Sequence, residues 1–192
     1  FKLGLRAGEV SNIKLSDISL QNAEIRDHYP DMGNERQLED RPNAIYVPSG
    51  DERPGNKSRR PRILPLDDEL RQLLTGYLLV RPDNGEPWLF LSQNSHSKIN
   101  KKTVNKVWKD VFHPEYAETE QYRPVTSHFG RHRFATWWRV EQDVNRELVK
   151  YMRGDKPGST SATSREASDA YLHTYYEDIK DLYLENIYKI NI

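Results

Sequence analysis

The chain has 192 residues, 35% hydrophobic and 30% charged, so it can bury a substantial core beneath a heavily charged surface. Cysteine is absent, which excludes disulfides, thiolate catalysis and cysteine-ligated metal centres and is compatible with a cytoplasmic location. No apolar run reaches the roughly 18 residues a membrane-spanning helix needs, no secretory leader opens the chain, and balanced totals of 29 basic and 29 acidic residues make net charge silent about partners.

Taken in chain order, Phe1 to Ile18 reads as a short helix closed by a turn, because Leu5, Val10 and Ile13 fall near helical spacing and Ser16-Asp17 is turn chemistry. Three short strands follow, Ile18–Leu20, Ala44–Val47 and Arg62–Leu64, separated by loops rich in Pro, Gly, Asn and Asp. A small antiparallel sheet is the expected outcome. Asp67 or Asp68 caps a helix through Leu70, Leu73, Leu74 and Leu78, and Asn100 starts another through Val104, Val107, Trp108 and Val111. Thr126 or Ser127 precedes a helix through Arg131 and Trp138, and Asp143 or Asn145 introduces a shorter one ending near Gly154, a natural C-cap. Residues 155–164 read as a flexible linker, and a long amphipathic helix is expected over 165–188.

Charge is distributed unevenly. Arg53, Lys57, Arg59, Arg60 and Arg62 form a run without an acid, and Lys98, Lys101, Lys102, Lys106 and Lys109 follow on an expected helix. These residues are candidates for contact with phosphate groups. The six histidines show no metal-ligand spacing and no glycine-rich phosphate loop occurs, so no metal, cofactor or small-molecule substrate is expected.

Five segments carry a specific pattern. Gly4-Leu5-Arg6-Ala7-Gly8-Glu9-Val10 with Ser16-Asp17-Ile18, the basic stretch from Lys57 to Leu66, His128-Phe129-Gly130-Arg131-His132 with Phe134-Ala135-Thr136, Leu148 to Asp155, and Tyr171-Leu172-His173 occur in that order. In motif, order and spacing the chain resembles the tyrosine recombinases, the phage integrase family. The resemblance spans nearly the whole chain. It implies a mainly α fold with a small three-stranded antiparallel sheet, the catalytic domain of enzymes that cut and rejoin DNA through a 3′-phosphotyrosine. It also implies double-stranded DNA as partner, a homotetramer on paired DNA sites, a DNA-associated location, and a core-binding domain N-terminal to a single, truncated catalytic domain over 1–192.

The chemistry explains the residue types. Attack of a tyrosine hydroxyl on a phosphodiester builds charge on two non-bridging oxygens, and paired arginines bind such oxygens by charge-assisted hydrogen bonds. Arg6 and Arg131 are the candidate clamp. His128 lies one helical turn before Arg131 and is the candidate aid to deprotonation, because a tyrosine hydroxyl with a pKa of about 10 is otherwise a poor nucleophile. His132 is expected to pack or cap. Lys57, crowded by Arg59, Arg60 and Arg62, is the candidate general acid for the departing 5′ oxygen.

Asp155 departs from the resembling pattern, which has His or Trp there; it orients His128 or an arginine, or its role falls to Lys156. Tyr171 is the candidate nucleophile, with Tyr175 and Tyr176 on the same helix as rivals. Two other readings share the fold: a DNA-relaxing type IB topoisomerase, and an accessory protein that binds DNA without cutting it.

Overall fold

The computed structural model describes residues 1–111, 125–156 and 165–191, apart from the side chains of 165–174. Its elements, in order, are α1 (Ala7–Ser11), β1 (Ile18–Ser19), α2 (Ala23–His28), β2 (Ala44–Val47), β3 (Arg62–Pro65), α3 (Asp68–Val80), α4 (Lys101–Val111), α5 (Ser127–Thr136), α6 (Arg146–Arg153) and α7 (Arg165–Asn186). The mainly α architecture with one small sheet is therefore the observed one. The three strands pair antiparallel in the order β1-β2-β3, with Ile18 opposite Ile45 and Val47 opposite Arg62.

The sheet is buried on both faces, and its period of two sorts the side chains. Ile45, Val47 and Leu64 join the large core with Phe134, Trp138, Val149 and Met152. Ala44, Tyr46 and Ile63 point the other way and pack with Leu38 and Tyr176 of α7. Helices thus cover the sheet from both sides.

Helix starts follow local chemistry. Asn100 Oδ1 accepts from the amides of Lys102 at 2.8 Å and Thr103 at 3.1 Å, and the Asn145 side chain accepts from Glu147 N at 2.8 Å. These contacts satisfy amides that have no partner inside the helix. α6 ends at Gly154, which adopts φ 65°, the left-handed conformation a side chain disfavours.

The opening helix is shorter than its spacing predicted, covering Ala7–Ser11 only, followed by a separate 3-10 turn at Leu15–Asp17. Gly4 at φ 58° turns the chain where a Cβ would lie 2.6 Å from the Phe134 ring. The Glu9 carboxylate then accepts from the Arg6 amide at 2.8 Å and so sets the helix start. The turn of helix at α2 was not anticipated, since Ile25 is its one buried residue.

Glu9 also makes a fully buried ion pair with Arg62, Nη2 to Oε2 at 2.8 Å, tying α1 to β3. Arg62 is therefore not placed to contact DNA. Burial by itself would raise the Glu9 pKa, but the charge and hydrogen bonds of Arg62, with the Arg6 amide, bring it down to about 2. A carboxylate held this low stabilises the fold above its unfolded pKa, and that contribution fades as pH falls from about 4.5 toward 2.

Two predictions follow from this packing. Glu9→Gln is expected to lower stability at neutral pH by about 3 kcal/mol or more, because it strands the Arg62 cation, and to flatten the decline in stability between pH 5 and pH 2; urea unfolding across that range reads both. Gly154→Ala places a Cβ 2.5 Å from Arg62 Nη1 and 3.0 Å from Ser58 Cβ at positive φ, and is expected to cost about 1–3 kcal/mol in the same assay.

Candidate functional site

Arg6 stands at the entrance of α1, and Arg131 lies in the middle of α5 with 6% of its surface exposed. Their guanidinium groups converge. Arg131 Nη1 donates to Gly4 O at 2.8 Å, and its Nη2 donates to Arg153 O and to Asp155 Oδ1, each at 2.8 Å. Arg6 Nη1 donates to Glu9 Oε1 at 3.2 Å and Arg153 O at 3.4 Å, and its Nη2 donates to Asp155 Oδ1 at 3.0 Å. One carboxylate oxygen thus accepts from both arginines. Burial, and then the neighbouring cations Arg6 and Arg62, pull the Arg131 pKa down to about 9, so it still carries its charge at neutral pH.

The carbonyls that hold the arginines are placed by the fold. The left-handed turn at Gly4 lets the chain cross Phe134 and present its oxygen to Arg131. The end of α6 supplies Arg153 O, and Asp155 follows the Gly154 cap. Asp155 is also paired with Arg153, Oδ2 to Nε at 3.2 Å. It contacts both Arg6 and Arg131, and no contact to His128 is among those of the described residues.

The hairpin loop between β2 and β3 borders this cluster. The Gly55 carbonyl packs against Gly8, where a Cβ would lie 2.9 Å away, and the Arg59 amide donates to Gly154 O at 2.9 Å. Lys57 lies between these two anchor points and is exposed. His128, one turn before Arg131 on α5, is exposed as well. His132 is exposed rather than packed.

The basic run divides by burial. Arg59 is exposed. Arg53 is instead paired with the buried Asp17 carboxylate, its Nη2 2.9 Å from Oδ1, and donates to Asn12 O at 2.8 Å. Arg60 is buried, with its guanidinium over the rings of Tyr151 at 5.4 Å and Tyr175 at 5.3 Å. Arg53, Arg60 and Arg62 thus face into the protein, each against an acid or an aromatic ring.

Lys102, Lys106 and Lys109 project from the outer face of α4, whose inner face buries Val104; Lys101 is exposed as well, but its Cε lies beside Gly8 of α1. Lys98 is not on that helix. It pairs through an isolated bridge with Leu91 and sets its Nζ 3.5 Å from the Trp88 ring, with Lys14 Nζ 5.6 Å from the same ring. Lys14 and Trp88 escaped sequence reading, because neither falls in a charged run or a motif. Arg153 escaped too, since it contributes a backbone carbonyl and a side-chain partner to Asp155 that no spacing reveals.

Of the three tyrosines on α7, Tyr175 stacks on Tyr151 with ring centroids 5.1 Å apart, and Tyr176 is 2% exposed with Arg41 over its ring at 5.3 Å. Burial raises the Tyr176 pKa to about 12. Both hydroxyl-bearing rings are committed to packing. Position 171 lies on α7, but its side chain, like that of His173, and most of the expected linker at 157–164 lie outside the described residues. Among the described residues no group of His, Asp and Glu is arranged to hold a metal ion, and no helix is long and apolar enough to cross a membrane.

Solved structures with the same fold include the XerA recombinase, at 22% identity and TM-score 0.54, covering 97% of this chain and 55% of that one. The Tn1549 transposon integrase in complex with a circular intermediate DNA matches at 16% identity and TM-score 0.55, covering 90% of this chain and 55% of that one. The XerH site-specific recombinase bound to palindromic difH substrate matches at 17% identity and TM-score 0.52, covering 94% of this chain and 41% of that one. The chain therefore spans about half the length of these structures. Comparison with curated proteins finds no match. The phage integrase family matches residues 1–163, which contain both arginines, Lys57, His128 and Asp155; with the α-helical architecture and its small antiparallel sheet, this means that the chain belongs to the phage integrase family and has the fold of tyrosine recombinase catalytic domains.

Proposed function

We propose that this chain is the catalytic domain of a site-specific DNA recombinase that breaks and rejoins strands through a 3′-phosphotyrosine. The observation that carries the reading is the meeting of Arg6 and Arg131 on a single anionic oxygen, at 3.0 and 2.8 Å. Two guanidinium groups so arranged can bind the non-bridging oxygens of a phosphodiester and stabilise the charge that grows on them during attack.

In this reading Tyr171 Oη attacks phosphorus, the P–O5′ bond breaks, and the phosphoryl group transfers to the tyrosine. His128 aids loss of the tyrosine proton, and Lys57 delivers a proton to the departing 5′ oxygen. A 5′ hydroxyl later attacks the phosphotyrosine and reverses the step, so phosphodiester bond energy is retained and no nucleotide cofactor is needed. Tyr171 is favoured over Tyr175 and Tyr176 because those two are held in packing contacts. Duplex DNA is placed across Lys57, Arg59, Lys98 and the Lys101, Lys102 and Lys106 face of α4, and synapsis of paired sites by four copies completes the exchange.

Three outcomes are expected. On a nicked suicide duplex bearing a site selected from a random library, Tyr171→Phe keeps binding but yields no covalent adduct, and peptide mapping of the wild-type adduct finds DNA on residue 171; adduct on residue 175 or 176 would reassign the nucleophile. Arg131→Ala and Arg6→Ala each lower cleavage by about a hundredfold or more, the effect of removing one donor from a charge-stabilising site. Log affinity falls linearly with log salt, at about 0.9 per phosphate neutralised, and Lys101→Ala with Lys102→Ala reduces that slope.

A further inference from the structure

The anionic oxygen between the two arginines belongs to the protein itself. Asp155 Oδ1 accepts from Arg6 Nη2 and Arg131 Nη2, the position a phosphate oxygen has to take if these arginines bind a phosphodiester. A planar carboxylate and a tetrahedral phosphodiester are both oxyanions of unit charge at neutral pH, and they compete for the same donors. Arg131 Nη2 already donates both its hydrogens, to Arg153 O and Asp155 Oδ1, so a phosphate oxygen reaches it only by replacing one of these acceptors.

Two explanations of the contact differ in what else holds the arginines. If Asp155 were needed to orient them, they would have few other anchors. Arg131 is instead fixed by Gly4 O and Arg153 O, and Arg6 by Glu9 Oε1 and Arg153 O. These are backbone or buried groups and stay in place without Asp155. Of the two carboxylates in the cluster, Glu9 is fully buried against Arg62, whereas Asp155 sits at the rim with 26% of its side chain exposed. Asp155 also has an alternative partner, because Oδ2 lies 3.2 Å from Nε of Arg153, whose side chain is 32% exposed. Movement onto Arg153 would keep the carboxylate ion-paired and release both Nη2 donors.

We propose that Asp155 is a displaceable internal ligand of the Arg6–Arg131 pair, which an incoming phosphate must exchange for itself while the carboxylate moves onto Arg153. This rests on the clamp reading above and adds a selectivity step to it. Phosphates that reach the pair without other contacts compete poorly with a tethered anion. A phosphate seated by DNA contacts elsewhere on the domain displaces it. The apparent affinity of the pair for any oxyanion is then the intrinsic affinity scaled by the fraction of molecules in which the pair is vacant.

The test uses inorganic phosphate as probe and the guanidinium Nε–H signals of Arg6 and Arg131 in NMR titrations of the whole chain. Asp155→Asn is expected to bind phosphate roughly tenfold more tightly than the wild type, as a closed fraction near nine-tenths implies, and adding Arg131→Ala to that variant is expected to abolish the response. Equal affinity in wild type and variant, or weaker affinity in the variant, overturns the displacement proposal while leaving the clamp intact. No response of either arginine in either protein removes the clamp reading and the proposal together. Asp155→Ser serves as a second variant, and if neither variant retains the wild-type backbone amide spectrum, Asp155 is a structural strut and the proposal falls.

Discussion

The buried ion pair between Glu9 and Arg62 is the constraint on which the arrangement of this domain turns. Both side chains are fully out of contact with solvent, so each is tolerable only because the other neutralises it. The pair joins the first helix to the third strand across the core. Because the same Glu9 carboxylate accepts from the Arg6 amide and from the Arg6 guanidinium, it also fixes where α1 begins and where the Arg6 side chain lies. A stabilising interaction and a site-positioning one are here the same group of atoms.

From that anchor the rest of the site is assembled by backbone oxygens. Gly4 O and Arg153 O come from opposite ends of the chain and are brought together by the turn over Phe134 and by the end of α6. Carbonyls at a glycine turn and at a helix end have lone pairs that no regular structure uses. Arginine donors fill them. The hairpin loop is fastened at Gly8 on one side and Gly154 on the other, which sets Lys57 beside the cluster without burying it.

The sheet performs a different task from the one its basic run suggests. Alternation along β2 and β3 sends one set of side chains into the main core and the other toward α7, so the sheet is a wall between two packed layers. Arg60, over Tyr151 and Tyr175, and Arg41, over Tyr176, hold α7 against that wall through cation–π contacts. The described part of α7 is accordingly packed against the same chain's own β3 and α6.

What the sequence alone determined was periodicity, punctuation and motif. Helical spacing of leucines and valines located α3 and α4, Asn100, Asn145 and Gly154 marked helix ends, and the ordered motifs pointed to the family and to Arg6 and Arg131, because local propensity and residue type act over a few neighbours. The division of the basic run into exposed Lys57 and Arg59 and inward-facing Arg53, Arg60 and Arg62 was not legible, since the partners Asp17, Tyr151 and Glu9 are remote in sequence. Lys98 left its expected helix for the same reason, drawn to the Trp88 ring. Nor could any spacing rule bring Asp155 onto both arginines. That contact requires three segments to meet at one point, and only the packing of α1, α5 and the end of α6 around a shared core makes them do so.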